Sequence, residues 1–330
     1  MGPNQGKIVT DNIWQDGQIT RSGMFAEYHI QGLDIRWVLS GRFEVNSSTI
    51  FNPDPDFANL YPESSTLQIN PGISVGGTKK MTDRFTMGLW LGRAHRSGSL
   101  TERFINYFPV GQDPYEMLGN PMLNTEINNQ IDLNFHWDSK TTSLHLDLFA
   151  GYLQDLISST IDTTLSPTIP TSPGVRRYIN IDKAFKTGFE AIWNQKLFAG
   201  LYHQFSLAYT YAQDLERDEP LPEIAPLDLK YQLSGAYINK QLHPSMSFRH
   251  VLEQSRTSSE FGETVTPSFS IIDVGLSFQV IPQLGISTGI HNLLDTQYYE
   301  HLSRSVRAKE PYPIYAPGRN FFISFNLDLR

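Results

Sequence analysis

The sequence predicts an all-β fold, an antiparallel transmembrane β-barrel, from three observations: its composition, the length of its alternating stretches and the uneven spacing of its turns. Aromatic residues make up 12% of the 330 residues, glycines number 24, and only 18% of the residues are charged. This composition favours half-buried strands and many turns over helices. The other two observations locate the strands and their connections.

Several classes of protein and site are excluded at this stage. The net charge is -8, with no basic cluster, so we expect no nucleic-acid partner. The absence of cysteine excludes disulfides and thiolate metal sites. No apolar run approaches the roughly 18 residues that a membrane helix needs. The first residues lack the pattern of a signal peptide, so we expect either a cytosolic protein or a mature or partial chain.

The alternating stretches are long. In NNQIDLNFHWD, every second residue from Ile131 to Trp137 is apolar, and the pattern resumes in TSLHLDLFAGY, where Phe149 is out of phase. The predicted strands are about ten to fifteen residues long, and about ten suffice to cross the hydrocarbon of a bilayer. We therefore expect the apolar stripe to face lipid and the polar stripe to line an enclosed interior. The polar stripe includes Asp132, Asn134, Asp147, Asp228, Lys230, Asp273 and Gln279.

The connections alternate between short and long. Short turns are predicted near Gln31 and at residues 79–83, 139–142, 197–200, 241–244 and 282–283. Long loops are predicted at residues 47–63, 96–123, 157–178, 214–226, 254–266 and 292–318. An outer-membrane barrel has this alternation, with short periplasmic turns and long extracellular loops.

Tyrosine and tryptophan residues near the predicted strand ends are typical of the aromatic girdles of a membrane barrel. They are Tyr28, Trp37, Trp90, Trp137, Tyr152, Trp193, Tyr209 and Tyr211.

The strand count is about thirteen, whereas single-chain bacterial barrels usually have an even number. If the last strand ends in the periplasm, the first predicted strand, residues 22–30, starts outside the cell. We therefore expect residues 1–20 to be the remnant of an extracellular loop, and residues 21–330 to be the C-terminal portion of a larger barrel whose N-terminal part is absent here.

Four motifs resemble one family. The segments GNPMLNTEINNQIDLNF, INIDKAFKTGFEA, PLPEIAPLDLKYQLSGAY, and NLLDTQYYEH followed by YAPGRNFFISFNLDL, are similar, in this order, to TonB-dependent outer-membrane receptors of the siderophore and vitamin type. Nothing in the chain resembles the plug domain or the TonB box of that family. The final apolar series stops at Leu329, with Arg330 after it, where family barrels commonly end on an aromatic residue.

The resemblance implies a barrel of about 22 strands in the outer membrane of a Gram-negative bacterium. It implies transport rather than catalysis, namely uptake of a scarce solute such as an iron-siderophore or another metal chelate. The implied partners are outer-membrane lipid and a small-molecule or metal-chelate ligand. TonB would be a partner only through a plug domain, which we expect to be absent from this chain.

Aromatic and cationic residues of the predicted loops are candidates for contacts with an anionic chelate, because rings stack on a ligand and arginine pairs with its charge. We select Tyr107, Tyr115, Tyr299, Arg304 and Tyr312. Each of them is also explained by membership of the interfacial belt or by packing between loops.

No cofactor, catalytic or metal site is predicted. His136 and His145 could share a metal, and Asp54 and Asp56 could bind calcium, but we interpret both pairs as ordinary polar residues of the interior and of a loop. No spaced nucleophile, base and acid indicate a hydrolase. The open alternatives are a plug-less, porin-like or ligand-binding outer-membrane barrel, and a soluble multi-stranded binding protein or enzyme.

Overall fold

The fold is one large antiparallel sheet. The computed structural model describes residues 13–32, 34–63, 65–108, 113–303, 305–306 and 312–328. Its elements are β1 (Asp16–Gln31), β2 (Ile35–Asn52), α1 (Pro55–Leu60), β3 (Ser65–Lys80), β4 (Phe85–Arg96), α2 (Leu100–Phe104), β5 (Glu116–Leu118), β6 (Glu126–Asp138), β7 (Thr142–Ile161), β8 (Val175–Lys196), β9 (Leu201–Asp214), β10 (Glu219–Pro220), β11 (Asp228–Gly235), β12 (Leu242–Val251), β13 (Phe269–Ile281), β14 (Leu284–His291), β15 (Ser305–Val306), β16 (Tyr312–Pro313) and β17 (Asn320–Leu327).

The path of the sheet contains thirteen strands in the described residues, which confirms the predicted number. Their order is β1-β2-β3-β4-β6-β7-β8-β9-β11-β12-β13-β14-β17, with the short β5 and β10 paired to β8 and β9. Neighbours on the path follow one another along the chain and pair antiparallel. The sheet is not closed, because β1 and β17 each have one neighbour among the described strands.

The short turns lie at one end of the sheet and the long loops at the other, as predicted. The turn predicted at residues 241–244 lies at residues 236–241, because β11 ends at Gly235 and β12 begins at Leu242. We refer to these as the turn end and the loop end. Among the described residues, α1 and α2 are the helices, and neither has the length and apolar character that crossing a membrane requires. Both lie in connections at the loop end, where Asp54 caps α1 by accepting a hydrogen bond from the Asp56 N–H.

The strands extend further into the loop end than the sequence predicts. β1 begins at Asp16, six residues before its predicted start, and β2 and β7 continue to Asn52 and Ile161. With 22 residues, β8 is about 70 Å long. The regular alternation of apolar and polar residues disappears from the sequence there, as in SSTIFN at the end of β2, but the backbone pairing continues beyond that point. The predicted boundaries of these loops therefore fall within the strands that the structure shows.

The two faces of the sheet differ as the alternation predicts. The register pairs Trp137 with Leu144, and Leu144 with Trp193, on the apolar face. Asp132 pairs with Phe149 on the polar face, so the residue that was out of phase is an aromatic side chain among polar ones.

The prediction for Trp90 is wrong. Trp90 pairs with Asp132 and therefore lies on the polar face, not in an aromatic girdle on the apolar face. Its ring covers Gly76 of β3, where an added Cβ would lie 2.0 Å from the ring carbon Cε3. The absent side chain at Gly76 makes the space that the indole fills.

Buried apolar residues concentrate at the loop end. One cluster joins Ile50, Phe57, Phe104, Leu118 and Val175, which come from β2, α1, α2, β5 and β8. We call the thirteen strands on the path of the sheet the wall. A second cluster holds the connection between β9 and β11 against the polar face of the wall and consists of Leu153, Ile181, Ala184, Ala212 and Leu221. The loops are thus packed onto the wall by cores of their own.

Candidate functional site

A cavity of about 720 Å³ lies on the polar face of β6, β7 and β8, directly below the loop end. We call it the inner cavity. Its wall includes Gln130 and Asp132 of β6, Phe149 of β7, and Lys186 and Glu190 of β8. These side chains share one face because they alternate along their strands and the strands are paired in register.

The connection between β9 and β11, residues 215–227, forms one side of the inner cavity. Leu221 and Ile224 of this connection pack against the cluster that contains Ala184 and Ala212. Because these two wall residues are small, the connection approaches the polar face closely. Leu221, Glu223 and Ile224 consequently line the cavity.

A buried ion pair closes the loop side of the inner cavity. The guanidinium of Arg176, at the start of β8, pairs with the carboxylate of Asp113, and both side chains are only 3% exposed. Arg176 also donates a hydrogen bond to the backbone oxygen of Phe261 and lies 3.9 Å from the centroid of the Phe261 ring and 5.0 Å from that of Tyr115. Arg176 thereby joins β8 to two separate loops, one that contains Asp113 and Tyr115 and one that contains Phe261.

A smaller pocket of about 180 Å³ lies on the other side of this ion pair. We call it the outer pocket. Asp113, Arg176, Glu223 and Phe261 line both it and the inner cavity, so they form a shared partition. His301, from the connection between β14 and β17, also lines the outer pocket.

The outer pocket contains a second link between loops. His301 lies 3.5 Å from Glu263 through its Nε2, and its Nδ1 is 2.8 Å from Thr266 Oγ1. Burial alone would raise the pKa of Glu263, but hydrogen bonds from His301 and from the backbone N–H groups of Ser258 and Glu223 lower it below its usual value. Glu263 is therefore an anion at neutral pH, and it links three segments of the loop end.

The structure brings together two of the five residues selected from the sequence. Tyr115 and Tyr299 both line the outer pocket. Burial raises the pKa of each phenol, so both are neutral hydrogen-bonding groups at neutral pH. Their contact with a ligand stays a prediction.

The other three selected residues lie elsewhere. Tyr107 packs against the apolar cluster of Phe57 and Phe104, outside the linings of the inner cavity and the outer pocket. Tyr312, in β16, is 61% exposed and also lies outside both linings. Arg304 lies outside the described residues.

The sequence did not single out the residues of the partition. Asp113 and Arg176 are 63 positions apart, and Phe261 is a further 85 positions along the chain. No local spacing links residues from three connections, so no sequence signal could have selected this set.

The two residue pairs considered for metals have ordinary structural environments. His136 and His145 do face each other, with their Nδ1 atoms 2.7 Å apart, and His136 also contacts Asp138 at the turn end. Asp54 caps α1. In the part of the chain that the structure describes, no three His, Cys, Asp or Glu residues are grouped to hold a metal ion.

Comparison with known proteins identifies the architecture. A family model described as "TonB dependent receptor-like, beta-barrel" matches residues 2–293. Among solved structures, the copper transporter OprC superposes with a TM-score of 0.81 at 19% identity, covering 94% of this chain and 48% of OprC. The FrpB iron transporter from Neisseria meningitidis gives a TM-score of 0.67 at 14% identity, covering 95% of this chain and 45% of FrpB.

The ferric enterobactin receptor PfeA from Pseudomonas aeruginosa gives a TM-score of 0.63 at 14% identity, covering 94% of this chain and 54% of PfeA. At these identities the likeness is one of fold. The chain spans about half the length of the solved structures that it matches.

Proposed function

The chain belongs to the TonB-dependent receptor-like β-barrel family, and from that premise we propose that it forms wall and loops of an outer-membrane transporter for a scarce solute. The strands from β1, which begins at Asp16 rather than at residue 21, to β17 supply the C-terminal portion of the barrel. The apolar face contacts lipid and the polar face lines the passage. Coupling to TonB acts through a plug domain rather than through the wall.

The inner cavity is the observation that supports this proposal most directly. It lies on the polar face directly below the loop end, and wall and loops both contribute to its lining. Its volume of about 720 Å³ falls within the range of roughly 300–1,000 Å³ typical of small-molecule sites. A cavity of this size suits a chelate better than a bare ion, which requires a tight cluster of ligands.

We infer that the solute is a metal chelate such as an iron-siderophore. The related structures are named as transporters or receptors of copper, iron and ferric enterobactin, which supports a metal-containing cargo. The carboxylates that line the inner cavity outnumber its cations, because Asp132, Glu190 and others accompany only Lys186 and Arg176. A neutral or cationic chelate complements this lining better than a strongly anionic one.

The test is equilibrium binding to the purified chain in detergent micelles. Three probes are titrated by calorimetry: a neutral ferric trihydroxamate, an anionic ferric tris-catecholate and Cu²⁺ alone. We expect saturable binding of the neutral chelate, weaker binding of the anionic one and no stoichiometric binding of Cu²⁺.

Substitution of Phe149 by alanine removes the aromatic ring that β7 contributes to the inner cavity. Phe149→Ala should weaken chelate binding about tenfold, in line with about 1–1.5 kcal/mol for a stacked ring. Phe198→Ala is the matched control, because Phe198 is 80% exposed in a connection at the turn end. If the folded chain binds none of the three probes, the proposed uptake of a metal chelate is wrong.

A further inference from the structure

An elongated hollow crosses the apolar face of the wall, on the side opposite the inner cavity. Its loop-side part has a volume of about 550 Å³ and is lined by Ile73, Leu91, Ile131, Ala150 and Phe185. A second part of about 460 Å³ continues the hollow along β6 and β7 as far as Leu133 and Leu148. Ile131 and Ala150 line both parts.

The small side chain of Ala150 creates this hollow. On β7, the neighbours of Ala150 on the same face are the larger Leu148 and Tyr152, and the register pairs Ala150 with Ile131 and Thr187. A groove therefore runs past Ala150 between large apolar side chains. From Tyr152 to Leu148 it follows about 13 Å of strand.

A polar row lies across the loop-side end of the groove. The register aligns Arg93 with Asn129, and Asn129 with Tyr152. Arg93 Nη1 donates to Asn129 Oδ1 over 2.8 Å, and Asn129 Nδ2 donates to the backbone oxygen of Tyr152 over 3.3 Å. Among the described residues, no carboxylate forms an ion pair with Arg93.

Arg93 marks the point where the apolar stripe of β4 ends. The stripe consists of Phe85, Met87, Leu89 and Leu91, and the next residue on the same face is Arg93. If the apolar face meets hydrocarbon, this position coincides with the head-group region of the loop-side leaflet. A cation at that depth, without a protein anion, attracts the phosphate of a lipid head group.

We propose that this groove is a binding site for a phosphorylated, multiply acylated glycolipid of the loop-side leaflet. Acyl chains occupy the two parts of the groove beside Ala150, and Arg93 pairs with the phosphate. Asn129 and Tyr152 offer polar groups for a sugar head group, which a glycerophospholipid uses less well. The inference rests on the proposed membrane location but not on the identity of the transported solute.

The test is native mass spectrometry of the full chain in detergent, with three lipids at equal concentration. They are a hexa-acylated lipid A with two phosphates, the same lipid after enzymatic removal of its phosphates, and phosphatidylglycerol. The phosphorylated lipid A should be retained best. Removal of its phosphates should lower retention about fivefold, which corresponds to about 1 kcal/mol for one basic residue at an anionic surface.

Two substitutions separate charge from shape. Arg93→Gln should lower retention of phosphorylated lipid A about fivefold, whereas Arg84→Gln, an exposed arginine at the turn end, should leave it unchanged. Ala150→Phe fills the groove without changing charge and should lower retention of both forms of lipid A. Ala26→Phe makes the same change on the apolar face of β1 and should have no effect.

Two results would overturn the inference. Equal retention of phosphorylated lipid A by the parent chain and the Arg93→Gln variant would show that Arg93 does not bind the phosphate. Equal retention of phosphatidylglycerol and phosphorylated lipid A by the parent chain would show that the groove does not prefer a glycolipid. Far-ultraviolet circular dichroism confirms that each variant is folded. Either result leaves the proposed uptake function intact, since chelate binding to the inner cavity is measured separately.

Discussion

The loop end and the turn end of this sheet have the same backbone ladder but are stabilised differently. At the loop end, charged residues such as Arg103 and Glu116 are completely buried in tightly packed connections. At the turn end, connections are short, and apolar residues such as Phe198 and Met81 are 80% and 49% exposed. The loop end therefore resembles a water-soluble domain with its own core, whereas the turn end only reverses the chain.

Arg103 shows how far this difference extends. Its guanidinium, on α2, donates to side-chain oxygens of Thr66 and Gln68 and to the backbone oxygens of Pro121 and Leu123. Burial lowers its pKa to about 10, so it remains charged at neutral pH. A buried cation satisfied by neutral oxygens has to be held by many fixed groups, and the loop end supplies them from separate segments.

The largest expected effect follows from breaking the Arg176 and Asp113 ion pair. Arg176→Met leaves a buried carboxylate without its cation and should destabilise the loop end by about 3–5 kcal/mol. Hydrogen exchange should show faster exchange in the loops and unchanged protection in β7 and β9 near the turn end. The double variant Arg176→Met/Asp113→Leu should recover most of the loss, because a well-packed apolar pair replaces the charges. Uniformly faster exchange in the single variant would contradict a separately stabilised loop end.

The next effect concerns the wall between the two ends. Leu276 is on the apolar face of β13 and 42% exposed, while Ser277 points to the polar face, where its hydroxyl lies 2.9 Å from that of Ser287. Leu276→Arg should cost about 2–4 kcal/mol of folding free energy in a bilayer, and Ser277→Arg should cost much less. Urea titration of folding into lipid vesicles measures both. The opposite ranking would mean that the faces are assigned incorrectly.

A smaller effect is expected for the packing of Trp90. Gly76→Ala places a methyl group in the space of the indole ring and should cost about 1–3 kcal/mol, because the ring has to move. Gly92→Ala is the control, since its Cβ would have Ser74 Cβ, at 3.8 Å, as its nearest neighbour. Tryptophan fluorescence should shift in the first variant only. Equal stability of the two variants would contradict the close contact.

The smallest effect is a pH dependence confined to the loop end. Because the pKa of Glu263 is lower in the folded protein than its usual value of 4.5, its stabilisation is present at neutral pH. It is lost as the pH falls below 4.5 and through the folded-state pKa. Glu263→Gln should cost about 1 kcal/mol at pH 7 and almost nothing at acidic pH. Loop exchange rates at both pH values measure it, and a penalty that does not change with pH would contradict the charge assignment.

Much of the wall could be predicted from the sequence. The thirteen strands, the short turns and the two faces were all recognised, because a residue facing lipid and a residue facing a polar interior differ in hydropathy at every second position. The predicted strands stopped at Ser47 and Ile157, because apolar and polar residues no longer alternate beyond these points although the backbone pairing continues. The predicted position of Trp90 failed because an aromatic residue suits both a girdle and the space above a glycine.

The sequence by itself thus determined the sheet, its faces and the end at which its loops lie, because these depend on a periodicity that each strand carries alone. Only the tertiary structure decided the partition of Arg176, Asp113 and Phe261, the inner cavity beneath it and the groove beside Ala150. These sites depend on which distant segments meet and on how closely small side chains let them approach. That information is a property of contacts between segments and is present in none of them separately.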